Sequence, residues 1–408
     1  MVAGANAAAG MAVGPLLAGC GHQTAATNSP YVYTPTLDIT KDGSLKAHAA
    51  TVNLLTGCAV VPWLLKSDHE YRRLVVDQCS IMVPENALKW EALRPTPDEY
   101  NFTDADELVS FAEKNDIKLR GHNLVWHEAL PKWFDGAVFK GNARQAMIDH
   151  IMQVAGRYSG RMHSWDVVNE AIDPYSDRMD GLRASPWLQL AGDDYIELAF
   201  RTARQADSGA LLTYNDYGIE CDTFEADKKR AAMLMMLRRL KARNVPIDAV
   251  GIQSHLSARG PKFGQGVKSF IADVRKMGLQ VFITEMDVSD AALELDPAHR
   301  DQVVAGVYNE YLTDVLADKA VTAVLTWGIT DRYTWLAQHT PRKDGEAQRC
   351  LPFDTNYRPK SAFFAMREAY DSRTTAPQGP DPNVNPYAPF KPGSSPPVEA
   401  VKPAASKT

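Results

Sequence analysis

Eight short runs of β-branched and apolar residues recur along the chain, each separated from the next by a longer segment with apolar residues at helical spacing. The runs are LLTGCAV (54–60), CSIMV (79–83), IKLRGHNLVW (117–126), HSWDVVNE (163–170), ALLTYND (210–216), DAVGIQS (248–254), LQVFITE (279–285) and VTAVLTW (321–327). Between them lie DELVSFAEKN, RQAMIDHIMQVAGRYS, DDYIELAFRTARQA, DKKRAAMLMMLRRLKARN, VKSFIADVRKMG and RDQVVAGVYNEYLTDVLA, in which apolar residues return every three or four positions. Strict β/α alternation repeated eight times predicts an α/β fold, the closed parallel (β/α)8 or TIM barrel, as a single catalytic domain over residues 45–372.

A barrel of this kind gathers its chemistry where the strands' C-terminal ends meet the following loops. Seven of the eight runs finish in polar or aromatic residues: PEN, GHNLVWH, NE, YNDY, QSH, TEMD and TWG. Converging on one rim, they describe a pocket of carboxylates, amides, imidazoles and indoles. A formal net charge of -6, with no dense Lys/Arg patch, leaves nothing to neutralise phosphates, so nucleic acid is not an expected partner. A neutral substrate fits better.

Glu170 closes the fourth run and Glu285 the seventh, so a barrel sets them facing each other across its mouth. Two such carboxyls suit glycoside hydrolysis, in which one stays protonated to donate to the leaving oxygen and the other stays ionised to attack or to activate water. Taken alone, Glu170 reads equally well as a cap for a helix starting in AIDPYSD, and Glu285 as an ion-pair partner in the rim. Asn169 shifts the balance, because an amide beside the acid can hold a sugar hydroxyl near the reacting carbon. His255 and Asp287 extend the second carboxylate into a chain in which an imidazole, held by Asp287, stabilises the Glu285 anion as a nucleophile requires. His122 and His127 raise a metal-hydrolase alternative, but the surrounding indoles and amides suit sugars better than a metal, and no metal or cofactor is expected. Trp90, Trp126, Trp327 and Trp335 fall at or after strand ends, either as core or as flat faces for pyranose rings. Asn86 and Lys89 add hydroxyl-binding groups.

PENALKWE, GHNLVWHEALPKW, WDVVNEAI, YNDYGIE, GIQSH, VFITEMDV and TWGITDRYTWL together resemble, in order, the motifs of glycoside hydrolase family 10, the endo-1,4-β-xylanases. The resemblance covers nearly all of residues 45–372. It implies a retaining double displacement on β-1,4-linked xylan or xylo-oligosaccharides, with Glu170 as acid/base, Glu285 as nucleophile and no cofactor. It also implies that Glu85, Asn86 and Lys89 bind the sugar on the non-reducing side. His122, Trp126, Asn169, Gln253 and His255 would surround the sugar being cleaved, with Trp327 as its platform. Tyr217 would meet the sugar on the leaving side, and Trp335 would cover the cleft. The sequence departs from the family at Asn123, where many members have Thr, and in its cysteine positions. Two rival readings stay open: a retaining β-glucanase or cellulase of a related barrel family, and a non-catalytic surface protein that binds xylan through its aromatic groove.

The ends of the chain read differently from the barrel. Residues 1–40 are rich in small residues, and Leu17-Ala18-Gly19-Cys20 resembles a bacterial lipobox that would put a lipid on Cys20, although no basic n-region precedes it. The segment is expected to be an export leader or a flexible segment, giving a periplasmic, cell-surface or secreted protein, a monomer, with no membrane span. The Pro-rich residues 374–408 are expected to be a disordered tail. Cys58, Cys79, Cys221 and Cys350 lack metal-site spacing and are expected as buried thiols or structural disulfides.

Overall fold

The computed structural model describes residues 38–134 and 142–373. The leader through residue 37, Cys20 with it, and the tail from residue 374 lie outside the described residues. The strands are β1 (Leu55–Val60), β2 (Ile81–Pro84), β3 (Lys118–Val125), β4 (Ser164–Asn169), β5 (Leu211–Asp216), β6 (Ala249–Ile252), β7 (His255–Ser257), β8 (Gln280–Ser289) and β9 (Val321–Thr326). They lie in the order β6-β5-β4-β3-β2-β1-β9-β8, and a β6–β8 pairing closes the ring. Each ladder is parallel; β1 pairs with β2 in the register Gly57 to Ile81 and with β9 in the register Leu55 to Ala323. This is the expected eight-stranded parallel barrel, with the short β7 laid beside the far end of β8.

The six amphipathic segments are helices: Thr103–Lys114, Ala143–Arg157, Tyr195–Ala206, Phe224–Ala242, Gln265–Lys276 and Pro297–Leu316. Local chemistry starts several of them. The Thr223 hydroxyl accepts the Ala226 N–H, and Asp296 accepts that of Ala298 with Pro297 at the first helical position, where its missing N–H costs nothing. Their apolar faces and the outward strand residues form one continuous buried layer. A second cluster fills the barrel: Leu55, Ala59, Ile81, Val83, Leu211, Ala249, Phe282, Ala323, Leu325 and Trp327. Alternation along each strand divides the two layers, so Phe282 belongs to the interior and Val281 and Ile283 to the outer layer.

Two runs differ from the expected strands. The sixth breaks after Ile252 because Ser254 adopts a left-handed backbone (φ 64°), and the chain resumes as β7. The seventh does not end at Glu285; it continues to Ser289, since β7 gives its last residues a partner. AIDPYSD starts no helix, and Ile172 instead bridges Leu182. Cys58, Cys79 and Cys350 are buried free thiols, with the first two sulfurs 3.6 Å apart. No described helix is long and apolar enough to cross a membrane.

Candidate active site

Irregularities in three strands aim the polar groups into the mouth. In β4 the register shifts between Asp166 and Val168. Val167 and Val168 therefore both join the outer layer, and Asn169 turns inward where strict alternation would have turned a valine. A shift between His122 and Val125 does the same in β3, ahead of Trp126. In β8 a shift between Ile283 and Met286 lets the adjacent Thr284 and Glu285 both meet Asn215 on β5. Glu170 follows β4 with φ 57°, a left-handed backbone that non-glycine residues adopt only under constraint.

Both carboxyls are buried and joined by amides. Asn169 donates to Glu170 Oε1 at 3.1 Å, Asn215 donates to Asn169 Oδ1 at 2.9 Å, and the Asn215 amide also donates to Glu285 Oε1 at 2.8 Å. Thr284 donates to Asn215 Oδ1 at 2.7 Å, which fixes which way that amide points. Gln253 adds a second donor to Glu170 Oε1 at 2.8 Å, and the Trp126 indole N–H donates to Glu170 Oε2 at 2.9 Å. Asn215 was not singled out from the sequence, although it stands in the YNDY ending; a buried Asn facing inward from β5 was the available signal.

The two carboxyls are pushed in opposite directions. Burial raises Glu170 above the usual carboxylate range; the Gln253 hydrogen bond opposes it, while the charges of Asp216 and Glu285 add to it. Burial would raise Glu285 too, but hydrogen bonds from His255 and Asn215 and the charges of His122 and His255 hold it below the usual range. His255 is the hinge of this difference. Its Nδ1 lies 3.0 Å from Asp287 Oδ1 and its Nε2 3.4 Å from Glu285 Oε2. Burial alone would lower its pKa, yet the two carboxylates lift it to about 10, so the ring is a cation at neutral pH. These contacts join Asp287, His255 and Glu285 in one chain.

A second buried chain supports the site from inside the barrel. Arg120 bonds Asp166, whose other oxygen lies 3.0 Å from His122 Nδ1. His122 in turn meets Trp327 edge to face at 5.3 Å. Trp327 is buried and also meets His255. Trp335, at the start of a short helix, donates its indole N–H to Asp287 Oδ2 at 2.7 Å and lies against His255 with ring centres 5.0 Å apart. Beyond β2, Asn86 donates to Glu85 at 3.3 Å, and Lys89 donates to Asn86 at 2.8 Å while its ammonium lies 5.1 Å from the centre of the Trp126 ring. Burial raises Glu85 and lowers Lys89, in each case against the charge of the other. On the opposite side Tyr217 accepts from Arg183 at 3.1 Å and carries the Lys229 ammonium 3.8 Å from its ring centre.

Trp90 departs from the rim reading. It is buried beneath the site, donating to the Leu124 carbonyl at 2.6 Å and stacking on His150 at 3.7 Å, so it is core. Burial first, then the charges of Arg183 and Lys229, lower His127 to about 3, and among the described residues no three His, Cys, Asp or Glu side chains gather as a metal site. What the arrangement offers is one carboxyl biased toward the acid, one biased toward the anion, and an indole and amide lining suited to a neutral polyhydroxyl ring.

Comparison with known proteins agrees with this geometry. The family model described as Glycosyl hydrolase family 10 matches residues 44–369. Endo-1,4-beta-xylanase B of Thermotoga neapolitana is 34% identical over 336 residues, covering 82% of this chain and 93% of that protein. Beta-1,4-xylanase of Dictyoglomus thermophilum is 35% identical over 309 residues, covering 73% and 84%. Among solved structures, xylanase 10B from Thermotoga petrophila RKU-1 in complex with xylobiose superposes with a TM-score of 0.72 at 34% identity, covering 80% of this chain and 97% of that one.

Proposed function

The chain belongs to glycosyl hydrolase family 10, and from that membership we propose that it is an endo-acting β-1,4-xylanase, with Glu170 as acid/base and Glu285 as nucleophile of a retaining double displacement. The observation that carries the assignment of roles is the opposite displacement of the two carboxyls, Glu170 toward the acid and Glu285 toward the anion. In the first step a Glu285 oxygen attacks the anomeric carbon while Glu170 gives its proton to the glycosidic oxygen. The C–O bond breaks, and a glycosyl ester on Glu285 remains. In the second step Glu170, now ionised, takes a proton from water. The water oxygen attacks the same carbon, and Glu285 leaves as the carboxylate. Two inversions retain configuration. No step calls for a cofactor.

Asn169 is set to hold the 2-hydroxyl beside Glu170, and the Trp327 face to carry the ring. The Glu85, Asn86 and Lys89 group supports a sugar on the non-reducing side, and Tyr217 one on the leaving side. Glu170→Ala and Glu285→Ala are each expected to lower turnover of xylan by about a thousandfold or more, measured as reducing ends released. Near-normal rates in either variant would sink the assignment. The anomer first released, followed by NMR, tests retention, and faster release from carboxymethylcellulose than from xylan would move the substrate to glucans. We further propose export, with residues 1–40 as an export leader or flexible segment and the protein periplasmic, secreted, or held at the cell surface by a lipid on Cys20. The mass of the mature N-terminal peptide checks both.

A further inference from the structure

One buried carboxyl near the mouth has no part in the steps above. Glu220 lies in the turn after β5, almost wholly inaccessible. Each of its oxygens accepts a backbone N–H, Oε2 from Ile219 at 2.8 Å and Oε1 from Ser254 at 3.0 Å. Ser254 is the residue at which the sixth run breaks, left-handed and fully buried. Leaving the ladder there strands its N–H, and a buried donor without an acceptor is costly. Glu220 supplies the acceptor from the neighbouring turn. The residues on either side of Ser254 are the ones that reach the two reacting groups: Gln253 donates to Glu170, and His255 reaches Glu285. The turn is fixed at its first residue as well, by Gln253 N to the Asp216 carbonyl and Glu285 N to the Gln253 carbonyl, each at 3.0 Å.

We propose that Glu220 is a positioning residue that holds the Gln253–Ser254–His255 turn and through it aims both catalytic carboxyls together. The inference rests on the xylanase reading and deepens it. The groups facing Glu220 are Lys229, His255, the Tyr311 phenol and the two N–H donors. Burial raises the Glu220 carboxyl, and the N–H groups with the charges of Lys229 and His255 pull it back. Its negative charge in turn favours the His255 cation.

The test replaces Glu220 by Gln, which sets an NH2 against one of two N–H donors and removes the charge. On an aryl xylobioside, kcat is expected to fall about 10- to 100-fold with KM within about threefold, the pattern of lost transition-state stabilisation. The acidic limb of kcat/KM is expected to move to higher pH, because His255 supports the Glu285 anion less well. Glu220→Asp keeps the charge on a stem too short to reach both donors, so the limb is expected to return toward wild type while kcat stays about 3- to 10-fold low. Tyr311→Phe, which removes the 2.8 Å contact to the Ser254 hydroxyl but leaves Glu220 bonded, is expected to keep kcat within about twofold. A folded Glu220→Gln protein with wild-type kcat and limb, and only a lower melting temperature, would overturn the proposal. Should that variant not fold, wild-type kcat in Glu220→Asp would do the same, because a stem one methylene shorter cannot keep both N–H bonds. Wild-type enzyme is assayed on xylan first, so inactivity there marks failure of the proposed function, separately from failure of this inference.

Discussion

A carboxyl that must give up a proton and one that must stay bare share a cavity here, and His255 keeps them different. Its cation depends on Asp287, so the contrast has a weak link that substitution can cut. In Asp287→Asn the burial of the ring is no longer offset by that charge, the imidazole turns neutral nearer pH 7, and Glu285 loses a cationic donor. The acidic limb of kcat/KM, set by ionising Glu285, is then expected to shift upward by about one pH unit, read from rates on an aryl xylobioside between pH 3 and 9. An unmoved limb would mean that the amide of Asn215 alone holds the anion. The roles of Glu170, Glu285, His255 and Asp287 could be argued from the sequence because each is a charged or ionisable group at a strand end. Asn215, Glu220 and Asp166 could not, because an amide or acid inside an otherwise apolar run declares its use only when its partner, dozens of residues away, comes into contact.

At the scale of elements, hydrophobic periodicity located every barrel strand, because burial on both faces demands it, and missed what happens where the periodicity fails. The bulge that turns Asn169 inward leaves the same letters WDVVN that an unbroken strand would have. The break at Ser254 shows no glycine or proline. Gly251 was legible only in hindsight: a Cβ there would lie 2.1 Å from Asn215 Oδ1, so β6 is bare where the amide needs room. The helix Ala143–Arg157 shows a cost of tight packing. Its His150 is wholly buried against Trp90, neither ring nitrogen has a hydrogen-bond partner, and burial, with the Arg94 charge, lowers its pKa far below the usual value. Below about pH 6.5 the unfolded chain takes up a proton that the native ring refuses, so stability falls with falling pH by up to about 1.4 kcal/mol per unit until the depressed pKa is reached. His150→Leu is expected to remove that slope in denaturant titrations between pH 4.5 and 7. An identical slope would show that the native ring accepts the proton.

For the whole molecule, a parallel barrel leaves no open edge, and its interior is filled rather than hollow. The Arg120 guanidinium inside it lies 5.0 Å from the Phe282 ring centre and binds Asp166, as part of the column that ends at His122. Such a frame can tolerate poor conformations at its rim. Glu170 is one: a left-handed backbone and a carboxyl taken out of water, both unfavourable to folding, the second serving its proposed role as acid. Stability and turnover are therefore opposed at this position. Glu170→Gly, relieved of both constraints, is expected to melt at a higher temperature by a few degrees while cleaving nothing, and a lower melting temperature would show that the amides around the acid depend on it. Selection for a tougher barrel alone would then discard the residue proposed to make it an enzyme.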